Sequence, residues 1–165
     1  GVGGHCLPID PSYLSWKVER VLGHNFRFVE LANDINGHMP DHVVHRIAMG
    51  LNARRRAVNG SRILLLGLSY KKNTGDARES PAVRVAQLLA EMGADVHGAD
   101  PYIVEETPVD GLLCRVDVTP EELSSADAVV LLTDHDAFDF DDIVSHAGFI
   151  LDCRHRLEGP HVEHL

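Results

Sequence analysis

Cys6 stands in the run Gly1-Val-Gly-Gly-His-Cys-Leu-Pro-Ile-Asp-Pro11, where glycines, prolines and an aspartate crowd around a single thiol. Glycines let backbone approach a neighbour closely, because they lack Cβ and tolerate positive φ. Pro8 and Pro11 stiffen the exit, and Asp10-Pro11 predicts a helix start with Asp10 as N-cap and Pro11 at the first helical position. A thiol held beside the positive end of a helix favours the thiolate, the form that attacks carbon. Two readings stay open on these residues alone: a nucleophilic cysteine, and an inert one buried in a tight turn. His5, beside the thiol, is open in the same way between tuning and packing.

Two further groups could meet an anion. Tyr70, Lys71, Lys72, Asn73 and Arg78 follow the apolar run Arg62-Ile-Leu-Leu-Leu-Gly67, and Arg154 and Arg156 follow Phe149-Ile-Leu-Asp152. Such runs predict central strands of a parallel sheet, whose ligands bind beyond the strands' carboxyl ends. The two groups meet if their strands are neighbours. The loop after Leu66 has neither the G-x-G-x-x-G fingerprint nor a P-loop.

The cations matter because they are few. Lys and Arg number 15 against 25 Asp and Glu, a net charge of −10. That balance argues against nucleic-acid binding, which needs a basic surface. Three cysteines without a C-x-x-C spacing predict neither a disulfide framework nor zinc, and a reducing cytoplasm fits them. The eleven histidines are scattered, so no metal is expected. No apolar run is long enough to span a membrane.

The elements that must position these groups divide near Gly60. Before it, Pro11 to Val21 predicts one helix. The stripe Phe28, Leu31, Ala32, Ile35, Met39, then Val43, Val44, Ile47, Ala48 and Leu51, predicts a helical run from Phe26 to Val58. Pro40 either kinks that run or opens a new helix. An apolar stripe of this length calls for another domain or another copy as its partner. After Gly60, strands over Arg62–Gly67, Ala94–Asp100, Asp127–Leu132 and Phe149–Asp152 alternate with helices from Ser80, Thr119 and Phe138, with a minor strand near Leu112–Val118. This alternation specifies an α/β fold, a long central helical segment followed by a Rossmann-like doubly wound parallel sheet.

Three motifs carry a resemblance. Gly-Gly-His-Cys-Leu-Pro-Ile-Asp-Pro resembles the catalytic-cysteine motif of the UDP-glucose/GDP-mannose dehydrogenase family. Gly67-Leu-Ser-Tyr-Lys-Lys-Asn-Thr-Gly-Asp-Ala-Arg-Glu-Ser-Pro81 resembles that family's C-terminal signature, and Asp152-Cys-Arg154 its late Asp-x-Arg element. The resemblance covers essentially the whole chain but only the later part of such an enzyme. It implies a fragment that lacks the N-terminal NAD domain and is inactive alone. It also implies two parts: residues 1–59, the cysteine loop and a helical dimerisation segment, and residues 60–165, a UDP-binding domain.

The implied chemistry oxidises a UDP-sugar C6 alcohol to the uronic acid in two NAD-linked hydride transfers through a cysteine thiohemiacetal and thioester. By that likeness Cys6 is the nucleophile and Asp10 orients water, while Cys6, Ile9 and Arg78 meet NAD. Gly1, Val2 and Gly3 line the sugar nucleotide by backbone, with Tyr70, Lys71 and Arg154 as its side-chain ligands. Lys72 and Arg156 are expected to be surface residues, and Cys114 and Cys153 structural. The run Asn33-Asp-Ile-Asn-Gly-His-Met-Pro40 looks more like UDP-N-acetylhexosamine dehydrogenases than UDP-glucose ones. The alternative of a different class is a UDP-sugar-binding and dimerisation module without catalysis.

Overall fold

The computed structural model describes residues 1–4, 6–7, 9–104 and 111–165. Its sheet is built from β1 (Arg62–Leu66), β2 (Asp95–Ala99), β3 (Cys114–Arg115), β4 (Ala128–Leu131), β5 (Ile150–Asp152) and β6 (Val162–His164). All pairings are parallel and the order is β3-β2-β1-β4-β5-β6. The four sequence-predicted strands and the minor one are present; β6 is additional. The chain leaves β1 toward one edge and returns at β4 to build the other. The switch point therefore lies between the carboxyl ends of β1 and β4.

Alternation along β1 divides the core in two. Ile63 and Leu65 pack with α3 (Met39–Ala53) and α4 (Pro81–Glu91), whereas Leu64 and Leu66 pack with α5 (Pro120–Ser125) and α6 (Phe140–His146). A strand covered on both faces needs a continuous apolar run, as β1 and β4 have. The helices start where side chains can satisfy their free amides. Ser80, Thr119 and Asp139 accept from Ala82, Glu122 and Asp142 N–H.

The N-terminal helices depart from the expected pattern. Pro40 opens a new helix rather than kinking one: α2 (Arg27–Gly37) ends and α3 begins at Met39. A proline there has no N–H to give and would strike the carbonyl four residues back. The run ends at Ala53, short of Val58. Arg55 takes φ +59°, and its N–H and that of Arg56 close onto the carbonyls of Asn52 and Leu51. This Schellman arrangement uses arginine where glycine is usual, so the sequence carried no stop signal. α1 (Asp10–Leu22) has Ile9, not Asp10, as its N-cap, with Asp10 already in the first turn.

α3 shares its core with the sheet, whereas α1 buries nothing and α2 buries only Val29. Trp16, Phe28, Leu31 and Ile35 remain more than half exposed on these two helices. Among the described residues no helix is long and apolar enough to cross a membrane, and no cluster of metal-ligating side chains forms.

Candidate functional site

The cysteine segment lies directly on the Tyr-Lys loop. A Cβ on Gly3 would stand 2.7 Å from Pro81 Cδ and 2.9 Å from Tyr70 Cβ. On Gly4, at φ +87°, it would stand 2.8 Å from the Tyr70 ring. These glycines are needed for contact with the protein itself, which the sequence could not distinguish from contact with a ligand. Val2 is tied to α2 in both directions: its N–H donates to Asn36 Oδ1 at 2.6 Å and its carbonyl accepts from Asn36 Nδ2 at 2.8 Å. Gly1, Tyr70, Thr133, Cys153 and Arg154 line one cavity, about 70 Å³ in volume, at the carboxyl ends of the strands.

Cys6 is exposed, not sealed in a turn. Its carbonyl accepts from Ile9 N–H at 3.2 Å and Asp10 N–H at 2.9 Å, which winds the backbone into α1 and leaves the thiol in solvent. Asp10 is exposed and Ile9 half-buried. His5 and Pro8 lie outside the described residues. Cys153, by contrast, is mostly buried; burial and the Asp152 carboxylate push its thiol up to about 12. That setting makes it inert. Cys114 is exposed on β3 at the sheet edge.

Two aspartates shape the loops around the strand ends. Asp152, fully buried at the end of β5, accepts from Arg154 N–H at 2.7 Å, Arg156 N–H at 2.6 Å and Leu157 N–H at 2.7 Å. In Asp-x-Arg the aspartate makes the turn and the arginine points outward. Arg154 Nε donates to Asp134 Oδ1 at 3.1 Å, and its terminal nitrogens have no partner among the described residues. β4 separates β1 from β5, so the two cationic groups are not on adjacent strands. Asp134 joins them, because it also faces Lys72 Nζ at 3.7 Å.

Asp100 follows β2 and shapes the turn there. It accepts from Leu68, Ser69 and Tyr102 N–H at 2.8–2.9 Å and from the buried His135 at 3.0 Å. Burial would raise its carboxyl, but hydrogen bonds from His135, Tyr102 and Ser69 outweigh that and hold it below the usual range.

Lys71 is exposed and makes no ion pair among the described residues; Tyr70 is half-buried against Gly4. Lys72 pairs with Asp136 at 2.6 Å, and Arg156 lies over the Phe140 ring at 4.8 Å. Arg78 folds onto Asp76 through Nε at 3.0 Å and Nη2 at 2.7 Å; that hydrogen bonding raises its already high pKa. Asp134, Asp136 and His135 escaped the sequence reading. Their signal was the run Thr133-Asp-His-Asp136 at the end of a central strand, beside the switch point.

The loop at this switch point carries no dinucleotide fingerprint. Gly67 has φ +80° and a Cβ there would overlap Thr133, so this glycine serves the turn and its close approach to the segment after β4. A pyrophosphate loop needs a second glycine where the backbone approaches the ligand and a third for helix–strand packing, and here Ser69 and Lys72 occupy those positions.

A model of the UDP-glucose/GDP-mannose dehydrogenase family, UDP binding domain, matches residues 64–159, more than half of the sequence. The chain belongs to this family. The family's UDP binding domain thus coincides with the sheet and its switch-point loops. A UDP-N-acetyl-D-mannosamine dehydrogenase from Methanococcus maripaludis is 36% identical over 138 residues, 84% of this chain and 29% of that protein. A UDP-N-acetyl-D-glucosamine 6-dehydrogenase from Pseudomonas aeruginosa is 31% identical over 83% of this chain and 32% of its own length. The chain therefore spans about a third of the curated relatives it matches. The crystal structure of an NDP-N-acetyl-D-galactosaminuronic acid dehydrogenase from Methanosarcina mazei superposes with a TM-score of 0.83 at 26% identity, over 100% of this chain and 38% of that one.

Proposed function

We propose that this chain is the catalytic-cysteine and UDP-binding portion of a nucleotide-sugar 6-dehydrogenase that oxidises a UDP-sugar C6 alcohol to the carboxylate. The observation that carries the reading is the packing of the Gly3-Gly4 backbone on Tyr70, which puts the cysteine segment at the mouth of the UDP-binding sheet. In this reading residues 1–59 supply the cysteine and a dimerisation surface, and residues 60–165 hold the nucleotide. The relatives' names favour a UDP-N-acetylhexosamine as substrate.

Each side chain then has a task. Arg154, anchored by Nε alone, offers its free fork to the diphosphate or the uracil carbonyls. Lys71, with no ion pair among the described residues, supplies a charge for a phosphate or sugar oxygen. Tyr70 and the backbone of Gly1, Val2 and Gly3 form the wall. Cys6, as thiolate, adds to the C6 aldehyde and makes a C–S bond. After oxidation of that adduct to the thioester, water attacks the carbonyl carbon, the C–S bond breaks, and sulfur leaves as thiolate. Asp10 orients that water. NAD supplies hydride acceptance when bound; the sheet does not fit it, and this chain would meet it only through Cys6, Ile9 and Arg78.

A second reading, a UDP-sugar-binding and dimerisation module without catalysis, is favoured by one observation: Ser69 and Lys72 stand where a dinucleotide fingerprint needs its second and third glycines. Calorimetric titration tests the binding that both readings share, and the cysteine substitution in a complete enzyme separates them. UDP binds the chain, NAD binds weakly or not at all, and no turnover is seen; robust NAD reduction by the chain alone overturns this. Arg154→Ala weakens UDP by about tenfold or more, the worth of a charged hydrogen bond. Placed in a complete enzyme, Cys6→Ala keeps sugar-nucleotide binding and abolishes acid formation. An unchanged rate refutes the nucleophile.

A further inference from the structure

His135 is fully buried at the switch point, between the Tyr102 and Phe138 rings, and every polar atom around it is engaged. Its Nδ1 accepts the Asn73 backbone N–H at 2.9 Å. Its Nε2 faces both Asp100 Oδ2 at 3.0 Å and Ser69 Oγ at 3.1 Å. The Ser69 hydroxyl proton goes to the Lys71 carbonyl at 3.0 Å, so Oγ presents a lone pair to the ring. One protonation state satisfies all of these partners: a neutral imidazole with its proton on Nε2. An imidazolium would set an Nδ1–H against the Asn73 N–H, two donors face to face without water.

A Ser-His-Asp triad is excluded by the same geometry. A triad places serine and carboxylate on opposite ring nitrogens, whereas here both share Nε2. What the ring does hold is the loop. Ser69 and Asn73 bracket Tyr70 and Lys71; Asn73 takes φ +57° and its side chain clasps Asp136 by two hydrogen bonds, at 2.7 and 3.0 Å.

We infer that His135 is a positioning residue of the nucleotide-sugar site: as the Nε2–H tautomer it fixes the loop that presents Tyr70 and Lys71. The inference rests on the reading of those two as substrate ligands. It holds the loop through the hydrogen bonds of its two ring nitrogens, so substitutions that keep one of these functions separate them. Asparagine keeps an acceptor near Nδ1, and glutamine keeps a donor near Nε2.

The test uses the 165-residue chain and two probes, UDP and UDP-N-acetyl-D-glucosamine. Long-range ¹H–¹⁵N spectra show the His135 proton on Nε2 at neutral pH. The Asn73 amide exchanges slowly in the unsubstituted chain and in His135→Asn, and fast in His135→Gln and His135→Ala. UDP-N-acetyl-D-glucosamine affinity falls about tenfold in His135→Ala and returns most of the way in His135→Asn but not in His135→Gln. A proton on Nδ1 overturns the inference, as does an affinity that is the same in the asparagine and glutamine variants. If His135→Ala fails to fold, the asparagine–glutamine pair still decides. Lys71→Ala separates the two levels: unchanged affinity there, with the tautomer and exchange pattern intact, removes the ligand reading and not the clamp. Absence of binding by the unsubstituted chain removes both.

Discussion

A thiol's chemistry here follows from its surroundings, and the three cysteines span the range. Cys6 and Cys114 stand in solvent, while Cys153 is mostly buried beside the Asp152 carboxylate and kept protonated up to about 12. At pH 7.5 an alkylating reagent is therefore expected to modify Cys6 and Cys114 and to spare Cys153, read by peptide mass spectrometry. Modification of Cys153 in the folded chain refutes the burial argument. Asp100 gives a second prediction at this scale. Its folded carboxyl lies below the ordinary 3.8, so its contribution to stability is present above that value and is lost as pH falls through the lower folded one. Urea midpoints should fall on acidification toward pH 3, and Asp100→Asn should be less stable near neutrality with a flatter acid limb. Cys6, Lys71 and Arg154 could be singled out in the sequence as candidates because their motifs are local. Asp134 and His135 were not, since their partners lie 20 to 66 residues away along the chain and spacing carries no trace of them.

Helices and strands were legible where local chemistry decided them. Ser80-Pro81, Thr119-Pro120 and the apolar run of β1 each announce their element, and each is where expected. β6 was missed because Val162-Glu-His164 is short and polar and forms only by adding to β5. The end of α3 was missed because arginine occupies the left-handed position. One packing contact at this scale was also beyond sequence reading: Gly50 of α3 touches the Phe149 ring beside β5, and Arg54 covers that ring at 3.8 Å. A methyl on Gly50 would overlap the ring, which is almost fully buried and has nowhere to move. Gly50→Ala is expected to cost about 1–3 kcal/mol in urea unfolding. A neutral result would show that α3 can shift on the sheet.

At the scale of the whole molecule, the two ends of the fold differ in what they leave uncovered. The sheet has cores on both faces, but α1 and α2 present Trp16, Phe28, Leu31 and Ile35 to solvent, with Phe28 75% exposed. The proposed dimer would cover that surface. Light scattering on the chain is expected to show a dimer, and Leu31→Asp with Ile35→Asp a monomer whose UDP affinity is retained. A monomeric unsubstituted chain removes the dimer proposal without touching the nucleotide site.

Asn36 gives that surface a reach beyond its own helix. Its amide holds Val2 as a neighbouring strand would, by one bond given and one received. Whatever grips the outer side of α2 thereby also grips the segment that carries the exposed Cys6 thiol, four residues further on. If the chain pairs and Cys6 attacks as proposed, assembly and the aim of the nucleophile become mechanically one event, and cutting a single carboxamide would let them come apart.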